Sequence, residues 1–226
     1  MQQTWRTDGD KLTFIVCRRL SDYRSSVTTD LEVNIRPDDS IIGCSGPLVM
    51  VGDVNMFVSV GDQDDDDDDN PTQELVLVAE LELMIAEKSQ RGKGLGKASI
   101  RAFLTYVLRH QEEIVTEFLN HHHHPGGRDH LEGVISTTTA TTTKTKAIKI
   151  DFFAVKIGQA NYKSIGLFEA LGFTKVAPTV NYFGEWELRC SSHDLAEVVL
   201  LHRDGDPVYT EVEYIAPSGD APVLKY

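Results

Sequence analysis

Gln90-Arg-Gly-Lys-Gly-Leu-Gly-Lys97 is the stretch on which the fold turns. Three glycines at alternate positions allow positive φ and let a backbone approach a ligand closely. Arg91, Lys93 and Lys97 put three cations among them. Upstream, Leu75 to Ala86 is apolar and interrupted only by Glu80 and Glu82, which reads as a strand. Downstream, Ile100, Phe103, Leu104, Val107, Leu108, Ile114, Val115, Phe118 and Leu119 recur at helical spacing, which predicts one long amphipathic helix. A glycine-rich turn between the end of a strand and the start of a helix aims free N–H groups at an anion, and phosphate is the natural occupant.

Spacing narrows the kind of phosphate ligand. A Walker loop needs Gly where Arg91 stands and Ser or Thr where Ala98 stands. A dinucleotide fingerprint beginning at Gly92 needs Gly where Lys97 stands.

Working outward from the turn, Leu12 to Cys17 reads as a first strand, and Val49 to Val51 with Val54 to Val60 as a second in which Gly52-Asp53 marks a bulge. Between them, 18–48 reads as an irregular insertion. Asp64 to Asp69 lies in a second insertion, 61–72, expected to be a solvated hairpin tip. A calcium loop needs spaced oxygen ligands and a turn glycine, which this homopolymer lacks. His121 to His124 and the threonine-rich run after it fall in a third insertion, 120–146, with little to bury. Adjacent histidines make no closed metal site, so no metal is expected. Order returns with a strand over Ala147 to Ile157 and a helix from Asn161 to Leu171 stopped by Gly172. Short strands at Thr174 to Ala177 and Tyr182 to Arg189, then a helix near Asp194 to His202, complete the pattern. A single domain over 1–190 with a C-terminal extension over 191–226 is the expected organisation.

Composition bounds the rest. At 226 residues, 41% apolar and 25% charged, the chain suits one globular domain rather than a rod or a disordered polymer. The net charge of −13 argues against nonspecific binding to nucleic acid or anionic membranes, which reward cation excess. Cys17, Cys44 and Cys190 are far apart and odd in number, as expected of a reduced compartment, and the cytoplasm is the default. No apolar run approaches the roughly 18 residues of a membrane span, and the first residues show no targeting pattern.

Arg91-x-x-Gly94-x-Gly96 resembles the pyrophosphate-binding turn of the acetyl-CoA-dependent N-acetyltransferases of the GNAT superfamily. Asn161-Tyr-Lys-Ser-Ile-Gly-Leu-Phe-Glu-Ala-Leu-Gly-Phe173 resembles the late helix of that superfamily, where Asn and Ser reach the pantetheine arm and Leu-Gly-Phe packs on the sheet. Gly52-Asp-Val-Asn-Met-Phe57, Glu82-Leu-Met-Ile-Ala-Glu87 and Lys156-Ile-Gly-Gln-Ala-Asn161 are similar to the N-acetyltransferase 9 branch, the alpha/beta-tubulin amino-terminal acetyltransferases. The resemblance runs over most of the chain up to Arg189.

It implies an α/β (α+β) GNAT fold, a mixed central sheet flanked by helices and carrying low-complexity loop insertions. Because Met1-Gln-Gln-Thr-Trp5 is similar to the end of the family's opening region, the resemblance also implies that a first strand and helices are missing. Acetyl-CoA is the implied cosubstrate. Its implied ligands are backbone groups at Met84, Ile85 and Ala86, the turn Arg91, Gly92, Lys93, Gly94, Leu95, Gly96 and Lys97, and Asn161, Ser164 and Phe168 on the late helix. Strand alternation puts Glu80, Glu82 and Met84 on one face and Leu81, Leu83 and Ile85 on the core face. Glu82, with Glu80 beside it, is therefore the candidate base for an acceptor ammonium. No Cys or Ser shows a nucleophile signature, so direct attack is expected. Phe168 stands where the superfamily often has a Tyr that protonates the leaving thiolate, which leaves water or Tyr162 for that step. The implied acceptor is a protein amino terminus, tubulin by resemblance, acted on by a monomer. A fold-retaining protein that binds tubulin or microtubules without turnover is the alternative.

Overall fold

The computed structural model describes residues 8–19, 48–61, 76–122, 149–201, 209 and 211. Along the chain run β1 (Lys11–Arg19), β2 (Leu48–Val60), β3 (Leu77–Ile85), a 3-10 turn (Lys88–Gln90), α1 (Leu95–Arg109), α2 (Gln111–His122), β4 (Phe152–Gly158), α3 (Tyr162–Glu169), β5 (Thr174–Lys175), β6 (Glu185–Ser191) and α4 (Ser192–Leu200). The strands form one mixed sheet in the order β1-β2-β3-β4-β6-β5. Only β3 and β4 are parallel, and the other neighbours are antiparallel. This is the expected α/β arrangement of a mixed sheet with flanking helices.

Alternation sorts the faces. Val54, Met56 and Val58 on β2, Leu77, Ala79 and Leu81 on β3, and Phe153, Val155 and Ile157 on β4 enter one core with Ile100, Phe103, Leu104 and Val107 of α1. Leu104 is fully buried, and removing a side chain of that size from such a core costs about 2–5 kcal/mol. The bulge expected at Gly52-Asp53 lies next to Val51. Val16 pairs with Gly52 and Cys17 with Met50, so Val51 is the extra residue on β2. The skip brings both Val51 and Val54 to the buried side.

Several boundaries differ from the sequence reading. Arg18 and Arg19 belong to β1 rather than to an insertion, and Leu48 to β2. The single long helix is two, broken at His110, where φ is −107° and ψ 21°. The apolar period continues across the break, and what periodicity does not register is Gln111. Its buried side chain accepts a hydrogen bond from Ile150 N at 2.8 Å, anchoring the start of α2 to the chain entering β4. Ser191 ends β6, and Leu195 and Val199 of α4 pack in the main core. Residues 120–122 are helical, whereas the Asp run, the second half of the His run and the whole Thr run lie outside the described residues. Among the described residues no helix is long and apolar enough to cross a membrane.

Candidate functional site

The glycine-rich turn leads from the 3-10 turn into α1. Gly92 and Gly94 take φ of 71° and 81°, and a Cβ at either would meet nothing within 4 Å. Backbone conformation, not space, requires glycine there. Gly96 is helical instead, and a Cβ there would touch Leu83 at 3.5 Å and Leu167 at 4.0 Å. The third glycine therefore seats α1 against β3 and α3 rather than supplying positive φ. Gly94 is the N-cap of α1 with no side-chain cap, and the first turn carries no acidic residue. That leaves a helix start with its partial positive charge toward solvent, with Lys93 and Lys97 exposed around it.

The Arg91 guanidinium is bonded to backbone. Its Nε donates to Ile85 O at 2.7 Å and its Nη2 to Ala86 O at 3.2 Å, which turns the guanidinium back onto the end of β3.

The end of β3 opens away from β4. The parallel ladder covers only Val78–Glu80 against Phe152–Ala154, while β3 stays paired with β2 up to Ile85 and β4 with β6 up to Gly158. Two strands of the same direction thus part company beyond Glu80. Peptide direction along β3 follows from the ladder: Ala86 N donates to Val51 O at 2.9 Å, and antiparallel pairing alternates. The N–H groups of Leu83 and Ile85 therefore face the opening, whereas those of Met84 and Ala86 face β2. Of the three predicted backbone donors only Ile85 is turned toward the cleft, and Leu83 joins it. Gly52 makes this packing possible, since a Cβ there would sit 2.0 Å from Met84 O.

Glu80, Glu82 and Met84 share the face away from α1, as alternation predicts. Glu80 is engaged: Lys156 Nζ donates to its Oε2 at 2.7 Å. That hydrogen bond holds the Lys156 ammonium above its ordinary value of 10.5, with the charges of Glu187 and Glu185 adding to it. Glu82 is exposed and sits across from Asn55. Asn55 accepts from Thr13 Oγ1 and donates to Asp53 Oδ1, both at 2.7 Å. Asp53, across from Met84, is a carboxylate on this face that the sequence reading passed over as part of a bulge.

Asn161 caps α3, its side chain accepting from Ser164 N at 3.3 Å. Because β4 runs parallel to β3, α3 starts at the same edge of the sheet as the glycine-rich turn. Asn161 also lines an open hollow of about 570 Å³ with Gly158, Gln159, Ala160 and Gly184. Phe168, the other α3 residue expected at the ligand, is buried. It is 4% exposed and packs edge-on to Phe173 at 5.2 Å within the core, because the apolar stripe of α3 includes it. On the far side of the hollow, Asn181 Oδ1 accepts from Phe183 N and Glu185 N, both at 2.9 Å. That turn holds Tyr182 and Phe183 outward, 96% and 80% exposed. The sequence reading placed Tyr182 in a strand, although Asn181 and Gly184 are turn residues.

Cys190 is buried, and burial pushes its thiol up to about 11 with the charge of Asp194 adding to the shift. It is no nucleophile at neutral pH. Among the described residues no group of three or more His, Cys, Asp or Glu gathers as a metal site.

No protein-family model matches the chain. Curated proteins do. An N-acetyltransferase 9-like protein of Schizosaccharomyces pombe is 32% identical over 200 residues, covering 83% of this chain and 73% of that protein. One from Nematostella vectensis is 28% identical over 89% of this chain and 70% of its own length. The human alpha/beta-tubulin-N-acetyltransferase 9 is 31% identical over 90% of this chain and 66% of its own. Against other relatives the chain spans little more than half their length, 56% for the Caenorhabditis elegans protein. A crystal structure of aminoglycoside acetyltransferase AAC(6')-Ib with coenzyme A superposes with a TM-score of 0.37 and 15% identity over 66% of this chain and 63% of its own, too loosely to inform the site. Sequence carries the assignment: the chain belongs to the N-acetyltransferase 9 family of N-acetyltransferases.

Proposed function

We propose that this protein transfers an acetyl group from acetyl-CoA to the amino terminus of a protein, with tubulin the acceptor suggested by the names of its relatives. The observation that carries the reading is the parting of β3 and β4 beside an uncapped helix start. Such a start favours an anion, and Lys93 and Lys97 reinforce it, so the diphosphate of the cosubstrate is assigned to the N–H groups of Leu95, Gly96 and Lys97. Asn161 and Ser164, at the head of α3, are assigned to the pantetheine arm.

The cosubstrate supplies an acetyl group activated as a thioester. The chain's own groups do the rest. The N–H groups of Ile85 and Leu83 stabilise the negative charge that develops on the acyl oxygen. Glu82, free of the ion pair that occupies Glu80, accepts the proton of the acceptor ammonium directly or through one water. As the C–N bond forms and the C–S bond breaks, the nitrogen releases its second proton to solvent and the departing sulfur takes one from solvent, since Phe168 carries no hydroxyl and lies in the core. We place the protein with its acceptor in the cytoplasm.

Phe168 also favours a second reading, a binding protein of the same fold without turnover. Calorimetric titration with acetyl-CoA followed by acetylation assays on tubulin amino-terminal peptides separates the two. Binding with transfer supports the enzyme, binding without transfer supports the second reading, and no binding removes both.

A further inference from the structure

We propose that Arg18 is a positioning residue for the glycine-rich turn, acting through the buried amide of Gln90. The inference rests on the reading of that turn as the diphosphate site. Gln90 is the last residue of the 3-10 turn and precedes Arg91, and it is 0% exposed. Arg18, near the end of β1, crosses 72 residues of sequence to donate from Nη1 to Gln90 Oε1 at 2.6 Å. A wholly buried primary amide needs its oxygen satisfied, and a guanidinium supplies a charge-assisted bond with fixed direction.

Two further contacts give this bond its leverage. Leu95, the first residue of α1, packs on the buried pair Val49 and Val51 of β2, against which Val16 of β1 also packs. Arg91, next in sequence to Gln90, is bonded to the Ile85 and Ala86 carbonyls. The turn is thus held at its entry by β1 through Arg18, at its middle by the end of β3 through Arg91, and at its exit by the β1–β2 corner through Leu95. Fixing the entry fixes where the N–H groups at the start of α1 point, and preorganised donors bind an anion without a reorganisation cost. Arg18 touches no ligand in this scheme.

The test uses the full chain with Arg18→Ala, Arg18→Lys, Gln90→Leu and the double variant Arg18→Ala/Gln90→Leu. Arg18→Ala is expected to raise both the Kd for coenzyme A and the KM for acetyl-CoA about tenfold, the loss of one charge-assisted hydrogen bond, with kcat and the acceptor KM unchanged. Arg18→Lys recovers part of the loss, and the double variant is no worse than Gln90→Leu alone. Hydrogen exchange is read in parallel on peptides spanning 86–97 and 192–200. Faster exchange confined to 86–97 in Arg18→Ala supports the brace. Unchanged affinity, additive losses in the double variant, or exchange that rises equally in 192–200 overturns it. Should the unsubstituted protein bind no coenzyme A, the diphosphate reading falls, and the exchange pattern alone decides whether Arg18 braces the turn.

Discussion

Glu80 and Glu82 lie two residues apart on one face of β3, and Lys156 separates their roles. Its ammonium is bonded to Glu80 at 2.7 Å, whereas Glu82 faces only the uncharged Asn55 across the ladder. A carboxylate already bonded to a lysine must give up that bond to receive a second ammonium. Glu82→Gln is therefore expected to lower kcat about 100-fold or more, the range of general base catalysis, leaving the KM for acetyl-CoA in place. Glu80→Gln is expected to lower kcat less than tenfold, because an exposed ion pair is worth only about 0–1 kcal/mol. Steady-state kinetics on both variants checks this, and equal losses would remove the distinction. The sequence already put both carboxylates on one face through alternation alone. The ion pair was not legible, because the partner lysine comes from a strand 76 residues later.

At the scale of elements, local chemistry was readable where a residue type has one use. Gly92 and Gly94 at positive φ and Gly172 at φ 92° behind α3 each follow from a short pattern. The break between α1 and α2 does not, since the residue that follows it, Gln111, is bonded by Ile150 N from 39 residues later. Gln111→Ala leaves that buried N–H without its acceptor, and an expected loss of about 1–3 kcal/mol is measurable by urea denaturation. The start of α4 carries a capping pair of a different kind. Asp194 N donates to Ser191 Oγ at 3.1 Å, and Ser191 Oγ donates to Asp194 Oδ2 at 2.7 Å. The Ser191 hydroxyl, with His193 adding, holds the Asp194 carboxyl below its ordinary value of 3.8. A depressed carboxyl gives stability that is present above 3.8 and is lost as pH falls from there through the folded value. Hydrogen-exchange protection over 192–200 is expected to decline in that window, and Ser191→Ala is expected to remove most of the pH dependence.

Over the whole molecule, the sheet is two halves. β1, β2 and β3 form one and β4, β6 and β5 the other, joined by three paired positions and by the helices packed across one face. Element order along the chain predicts a mixed sheet, but not where its parallel pair stops, which the register of β3 against β4 sets after Glu80. Phe168 lies in the core with the rest of the apolar stripe of α3. On the proposed reading, the ligand at the open edge meets both halves, on one side through the start of α1 and the end of β3, on the other through Asn161 and Ser164. It therefore binds only when the halves are in register, so its binding energy adds to folding stability. At one hundred times Kd, mass action contributes about 2.7 kcal/mol, which for a chain of this size is a rise in Tm of about 5–11 °C. Gly94→Ala, which forces a Cβ into a left-handed conformation costing roughly 1–2 kcal/mol, is expected both to lower the Tm without ligand and to shrink the ligand-induced rise. Scanning calorimetry with and without coenzyme A checks both. A Tm indifferent to millimolar coenzyme A would mean that the opening between β3 and β4 holds something else.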